Sequence, residues 1–368
     1  MMECIGMKKS TEPAEGTSTD RVVLVRALPG LGDFLCAVPA WSALRRGLPK
    51  AQIDLVALPE TRHLAQRFSQ YFDDFIEFPG FPGIVERPAR VTALPAFLSE
   101  MHERRYDLAL QMHGDGSTSN IFSLLLGAKR TVGFYLPSGH CPDPESFLPY
   151  PDWLHEVQRN TALVRFLGIE VGDDAGCTYE FSVTDSDEGE YARLAQRHGL
   201  QSGRYVCIHP GASRETRRWS PRSFAQVGSM LRAQGLQIVL TGTADEAEIT
   251  AIVARHLGQP VIDLSGQTSV GALAVLLGHA RLLLCNDTGV SHLGAAMKTP
   301  SVIIFLTSDL VRWGPMDRSR RRPVGYGNGE PVSTEQVLAA TWSLLDGTGQ
   351  FDIPPDLRTA YTPEVRTT

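Results

Sequence analysis

Twice along this chain an apolar, β-branched run ends in a glycine-bearing loop that leads straight into a helical pattern. Residues 21–26 (RVVLVR) run into Ala-Leu-Pro-Gly-Leu-Gly-Asp and then a helical pattern through Arg46. Residues 205–209 (YVCIH) run into Pro-Gly-Ala-Ser and a second helical stretch. Further strand-like runs follow each start, at residues 51–57, 107–112 and 130–134, and again at 237–241, 282–285 and 301–305. Short strands alternating with helices predict parallel sheets covered by helices. The economical fold class is therefore α/β, with two Rossmann-like domains whose parallel sheets face a central cleft. The expected bounds are a disordered leader at 1–20, domains at 21–180 and 181–350, and a loose tail at 351–368. An Asp185-x-x-Glu188 capping pattern predicts a helix from there to about His198. Ligands of such folds sit at the carboxyl ends of the strands.

Charge and cysteine usage narrow the class. The 35 Lys and Arg residues against 41 Asp and Glu give a net charge of −6, so nucleic acid is not an expected partner. The six cysteines (Cys4, Cys36, Cys141, Cys177, Cys207 and Cys285) form no C-x-x-C pair, a pattern of a reducing compartment rather than of disulfides or zinc. No signal peptide precedes the first strand, and no window reaches the ~18 apolar residues of a membrane span. The expectation is a cytoplasmic enzyme.

Three loops carry the candidate chemistry. In the first, Arg26 through Asp33, the spacing is G-x-G-D and not the G-x-G-x-x-G of dinucleotide sites. Asp33 reads either as a helix N-cap or as a carboxylate placed to act as general base. In the second, Arg214, Arg217, Arg218 and Arg222 follow a Gly/Ser turn, suiting either a phosphate or a solvated charge run. The third, Asn286-Asp287-Thr288-Gly289-Val290-Ser291-His292, joins a strand to a small-residue helix whose first amides and macrodipole suit a diphosphate. There His292 is either a phosphate donor or a packed histidine, and Asp287 orients the loop, caps the helix or binds a ribose hydroxyl. Asp245, Glu246 and Glu248 reach a ribose or merely line a helix start, and His113 follows another strand. No HExxH, G-x-S-x-G or Walker A pattern occurs, so neither metal nor triad chemistry is expected.

Taken in order, RALPGLGDFLCAVPAWSALRRGLP, YDLALQMHG, GAKRTVGF, HPGAS…RRWSPRSFAQV, IVLTGTADE, DLSGQTSVGALAVLL, NDTGVSHLGAAMKTPSV and RWGP make the sequence resemble glycosyltransferase family 9, best known for ADP-heptose:lipopolysaccharide heptosyltransferases. The resemblance implies the GT-B fold, donor binding by the C-terminal domain and acceptor binding mainly by the N-terminal one. It also implies inversion at the anomeric carbon with no metal and no cofactor beyond a nucleotide-sugar donor, ADP-heptose for preference. Asp33 becomes the base. Arg217, at the place of a usual Lys, and its neighbour Arg218 become the donor-phosphate cations. Thr288, Gly289, Val290 and His292 join them, with Asp287, Asp245 and Glu246 toward donor sugar or ribose, and Arg26, Gly32 and His113 on the acceptor side. The partners implied are that donor and a glycan or glycolipid acceptor, with peripheral contact at the inner membrane leaflet. Leu306-Thr307-Ser308 departs from the family's Gly-Pro-Thr on the donor side. The rivals are a same-fold transferase using another nucleotide-sugar, a nucleotide-dependent oxidoreductase, and a catalytically silent binding module.

Overall fold

The computed structural model describes residues 19–172, 179–258 and 260–345. The chain divides into two compact units, Met1–Thr178 and Tyr179–Thr368. The expected tail lies outside the described residues, as does all of the expected leader but its last two positions.

Unit 1 holds six parallel strands: β1 (Arg21–Val25), β2 (Gln52–Ala57), β3 (Asp74–Glu77), β4 (Leu108–Gln111), β5 (Arg130–Tyr135) and β6 (Phe147–Pro149). Their order is β3-β2-β1-β4-β5-β6. The helices are α1 (Leu31–Leu35), α2 (Val38–Gly47), α3 (Arg62–Arg67), α4 (Leu94–Glu103), α5 (Ser119–Leu125) and α6 (Glu156–Phe166). β1 and β4 are mostly apolar, Val22–Val25 and Leu108–Leu110, because both their faces are covered. On one face, Val23, Val25 and Ala109 pack with Phe78, Met101 and Phe122 in a single core.

Unit 2 opens with α7 (Asp185–His198) and repeats the plan with β7 (Tyr205–His209), α8 (Pro221–Ala233), β8 (Gln237–Leu240), α9 (Ala247–Leu257), β9 (Ile262–Asp263), α10 (Val270–His279), β10 (Leu282–Asn286), α11 (Gly289–Ala296), β11 (Ser301–Ile304), α12 (Leu310–Trp313), β12 (Arg321–Val324) and α13 (Thr334–Leu345). Its sheet is again all parallel, ordered β12-β11-β10-β7-β8-β9. Counted from the first strand of each unit, the two orders are the same doubly wound arrangement. In each, the order reverses beside the first strand, between β1 and β4 and between β7 and β10. That switch point is where such sheets open a crevice for ligands.

Two local expectations are corrected. The helix expected to run through Arg46 is two helices, separated at Cys36–Ala37. Pro39 sits in the first turn of α2 and has no N–H to give the carbonyl four residues back, so the first helix stops and a second begins. The capping box of α7 is one residue earlier than the Asp185/Glu188 pattern suggests. Thr184 Oγ1 accepts from the Asp187 amide at 3.3 Å, and Asp187 Oδ2 accepts from the Thr184 amide at 2.9 Å. Gly199, at φ 62°, closes that helix as expected. Cys36, Cys207 and Cys285 are buried and form no disulfide, and burial pushes the Cys207 and Cys285 thiols well up.

Candidate active site

In unit 1 the loop after β1 leads into α1, and Asp33 occupies the third helical position. Gly30 is the N-cap, so the capping role for Asp33 is not the one realised. The half-buried Asp33 carboxylate lies directly against Gly30, where any Cβ would collide with it. A side chain at residue 30 would therefore push that carboxylate aside.

Arg26, expected on the acceptor side, is turned inward and 4% exposed. Its Nε and Nη2 both donate to the Asp33 carbonyl, at 3.1 and 2.6 Å. Nη1 donates to the Met112 carbonyl at 2.7 Å and to Asn160 Oδ1 at 3.0 Å, and Nη2 reaches Glu156 Oε1 at 3.3 Å. All five guanidinium hydrogens are thereby spent within the unit. Arg26 is a clamp that fixes the backbone of Asp33 to the end of β4, and it has no donor left for a glycan. Gly32 is buried in the first turn of α1. His113 is buried just beyond β4, its Nε2 3.5 Å from Glu86 Oε2 and its Nδ1 without a hydrogen-bond partner. Burial lowers the affinity of that imidazole for a proton, against the opposing pull of Glu86.

In unit 2 a single buried amide holds the two central loops together. Asn286 Nδ2 donates to the Pro210 and Gly211 carbonyls at 2.8 and 3.3 Å, while its Oδ1 accepts from the Trp219 amide at 2.9 Å. Trp219 is anchored again by its indole N–H on the Val332 carbonyl at 2.8 Å. Arg218 Nε donates to the Ala212 carbonyl at 2.9 Å, so this arginine shapes the turn. Arg217 Nη1 stands 3.9 Å from Asp287 Oδ2, with Asp287 buried at the mouth of β10. Thr288 is the extended N-cap of α11 and makes no side-chain bond to the helix amides. A cation and the positive end of a helix thus meet around one buried carboxylate, which orients the cation. His292 is buried one turn along, its Nδ1 3.0 Å from Tyr179 Oη and its ring 6.0 Å from that of Trp313.

The ribose candidates separate. Asp245 is exposed. Glu246 accepts from the Thr243 amide at 2.9 Å, closing a capping box, and its Oε2 is also 3.5 Å from His209 Nε2. That contact with His209 is the main cause holding the Glu246 carboxyl down at about 2, against the opposing effect of burial. The same carboxylate lies against Gly211, where an added Cβ would push it aside. Glu248 is exposed. On the divergent loop, Thr307 Oγ1 donates to the Thr216 carbonyl at 3.3 Å, one residue from Arg217. The residues the sequence reading missed are Glu86, Glu156, Asn160 and Tyr179, each a partner distant in sequence from the loop it supports. Among the described residues, no three His, Cys, Asp or Glu side chains are grouped to hold a metal ion, and no helix is long and apolar enough to cross a membrane.

The model of glycosyltransferase family 9 (heptosyltransferase) matches residues 95–333. Lipopolysaccharide heptosyltransferase 3 of Escherichia coli K12 is 25% identical over 293 residues, covering 77% of this chain and 82% of the relative. Lipooligosaccharide heptosyltransferase 2 of Haemophilus ducreyi is 25% identical over 313 residues, covering 82% and 86%. Among solved structures, the glycosyl transferase family 9 protein of Veillonella parvula aligns with a TM-score of 0.71 at 20% identity, covering 89% of this chain and 98% of that one. The E. coli ADP-heptose LPS heptosyltransferase II aligns with a TM-score of 0.65 at 20% identity, covering 89% and 99%. The shared architecture is the GT-B fold.

Proposed function

The chain belongs to glycosyltransferase family 9, and from that membership we propose that it moves a heptose from ADP-heptose to a lipopolysaccharide-core or related glycan acceptor, with inversion at the anomeric carbon and without a metal. The acceptor hydroxyl attacks that carbon from the face opposite the nucleotide, and Asp33 takes its proton. As the carbon–oxygen bond to the diphosphate breaks, ADP leaves with the electron pair. Arg217 and the amides of residues 288–290 meet the charge that develops, as preorganised donors at a leaving group do. The observation that carries this reading is the Arg217 guanidinium, oriented by Asp287, beside the N-terminus of α11, where the Thr288 side chain makes no cap bond, because a cation and a helix N-terminus together suit a diphosphate. Arg218 and Asn286 hold the loop around it, His292 adds a polar side chain one turn along, and Glu246 faces the ribose.

Thermal unfolding with ADP, UDP, GDP, dTDP or NADH, at matched concentration, tests the donor. A ligand ~100-fold above its Kd adds about 2.7 kcal/mol, and the expected result is a shift selective for ADP. A shift with UDP, GDP or dTDP instead keeps the transferase and discards ADP-heptose; a shift with NADH alone overturns the class. The alternative reading is a same-fold transferase using another nucleotide-sugar, since Leu306-Thr307-Ser308 stands on the donor side in place of the family's Gly-Pro-Thr.

Arg217→Ala is the companion variant. Losing a charge-assisted hydrogen bond costs about 1.5–3 kcal/mol, so the donor Kd rises roughly ten- to hundred-fold. Calorimetry with ADP reads this directly, and an unchanged Kd removes Arg217 from the phosphate.

A further inference from the structure

We propose that the loop between β6 and α6 is a sugar-binding platform of unit 1, on which the Trp153 indole stacks against a neutral pyranose ring of the acceptor. The inference rests on the reading that the acceptor is a glycan.

Of the five tryptophans, Trp41, Trp219 and Trp342 are buried and Trp313 is partly buried, whereas Trp153 is 67% exposed. The loop that carries it is nevertheless tightly held. Arg159, buried on α6, donates from Nε to the Pro151 carbonyl at 3.0 Å, from Nη2 to the Asp152 carbonyl and from Nη1 to the Tyr150 hydroxyl at 2.6 Å. The same guanidinium stands 4.8 Å from the centre of the Tyr150 ring, which meets Phe134 edge-on at 5.7 Å. On the other side of Trp153, the Leu154 amide donates to the Pro151 carbonyl at 3.2 Å and His155 caps α6. The backbone is thus fixed before and after Trp153, while among the described residues the indole itself has no hydrogen bond or ring contact. A fixed loop with an unoccupied aromatic face is prepared for a partner, as functional side chains on rigid scaffolds are.

Single exposed apolar side chains are ordinary, so their place decides what they mean. β6 and β1 are parallel members of one sheet, and both Trp153 and Asp33 follow the carboxyl ends of their strands. That is the rim where such sheets bind ligands. Three strand intervals of ~4.8 Å separate β6 from β1, about 14 Å. α6 spans the gap. Its first residue, Glu156, comes three positions after Trp153 and meets Arg26 Nη2, which is bound in turn to the Asp33 carbonyl. An acceptor with its hydroxyl at Asp33 can therefore extend along this rim to the 150–155 loop.

The chemistry of the loop selects what it holds. An indole has an apolar face and an N–H donor at its edge, which matches a pyranose, apolar across its C–H face and polar around its hydroxyl rim. Asp152, exposed beside it, offers a carboxylate that accepts from hydroxyls and repels acidic groups. Residues 150–155 include no Lys or Arg. A neutral ring suits this place, and a phosphate or an acidic sugar does not.

The test uses the full chain and a delipidated lipopolysaccharide-core oligosaccharide. Acrylamide quenching of tryptophan fluorescence, taken as wild type minus Trp153→Phe, isolates the indole. The oligosaccharide is expected to cut that quenching about two-fold or more, at low and high salt alike, because contact with a neutral ring is not screened. Trp153→Ala and Trp153→Leu are expected to raise the acceptor KM about ten-fold while kcat, the Kd for ADP and Tm stay as they are, the pattern of lost uniform binding. Trp153→Tyr, which keeps an aromatic face, is expected to recover most of that loss. Quenching that the oligosaccharide leaves unchanged overturns the platform, and where heptose is still transferred the transferase reading stands. A Leu variant as good as the Tyr variant also overturns it, since bulk alone would then suffice. Shielding that disappears at high salt overturns the neutral ring in favour of an ionic contact. A wild type whose Trp153 is shielded but which transfers no heptose keeps the platform and fails the transferase reading instead.

Discussion

Asp33→Asn is expected to leave ADP affinity unchanged and to lower kcat by ~10²–10⁴-fold, the usual worth of a positioned general base. The substitution keeps the shape of the side chain and removes its ability to take a proton. The backbone beneath it does not move, because the Asp33 carbonyl is held by two N–H groups of Arg26 and not by the carboxylate. The cost to stability is confined to the favourable placing of a negative charge in the first turn of α1, about 0.3–1 kcal/mol. Turnover is followed by ADP release and affinity by calorimetry, so the two effects separate. Near-normal transfer by the variant would take Asp33 out of the mechanism. A parallel loss of ADP binding would instead mark it as a donor contact.

What the sequence made legible follows a physical rule. The eight strands it revealed (β1, β2, β4, β5, β7, β8, β10 and β11) are the interior strands of the two sheets. Covered on both faces, they are predominantly apolar, with polar residues such as Asp54, Gln111 and Asn286 held by hydrogen bonds, and a largely apolar run is what a reader detects. The four it missed are the four edges. β3 reads DFIE, β9 has two residues, β6 three, and β12 carries Arg321, Arg322 and Pro323, a proline that an edge tolerates. The candidate loops were legible for a related reason: a strand end, a glycine and a helix start lie within one short stretch. The partners that hold those loops were not. Glu156 and Asn160 meet Arg26 from 130 and 134 residues away, and Trp219 meets Asn286 across 67. A sequence pattern has no local mark for such pairings. Arg26 therefore looked like a ligand for the acceptor, because its inward partners are contributed by a helix at the far end of the unit.

That inward role predicts the largest effect on stability. Arg26→Met, which retains length and apolar bulk, is expected to lower the unfolding free energy by about 3–5 kcal/mol, the cost of breaking a buried ion pair on one side only. The reason is what is left behind. Glu156 remains buried with Arg159 Nη1 at 3.7 Å as its nearest cation, and the Asp33 and Met112 carbonyls and Asn160 Oδ1 each lose a donor. Lysine does not rescue the site, because one ammonium with three hydrogens cannot span acceptors that a planar fork reaches with five. Adding Glu156→Gln to Arg26→Met is expected to recover part of the loss, since it removes the buried charge that has lost its Arg26 partner while keeping a polar group beside Asn160. The two changes therefore couple by about 1–3 kcal/mol and do not add. Urea unfolding of the two single variants and the double variant measures that coupling. A loss below about 1 kcal/mol in Arg26→Met, or simple additivity, would show that the clamp does not hold the loop. Activity supplies the second reading: with the Asp33 backbone released, kcat falls while the Kd for ADP stays, because Arg26 acts on the reaction only through the position of the base.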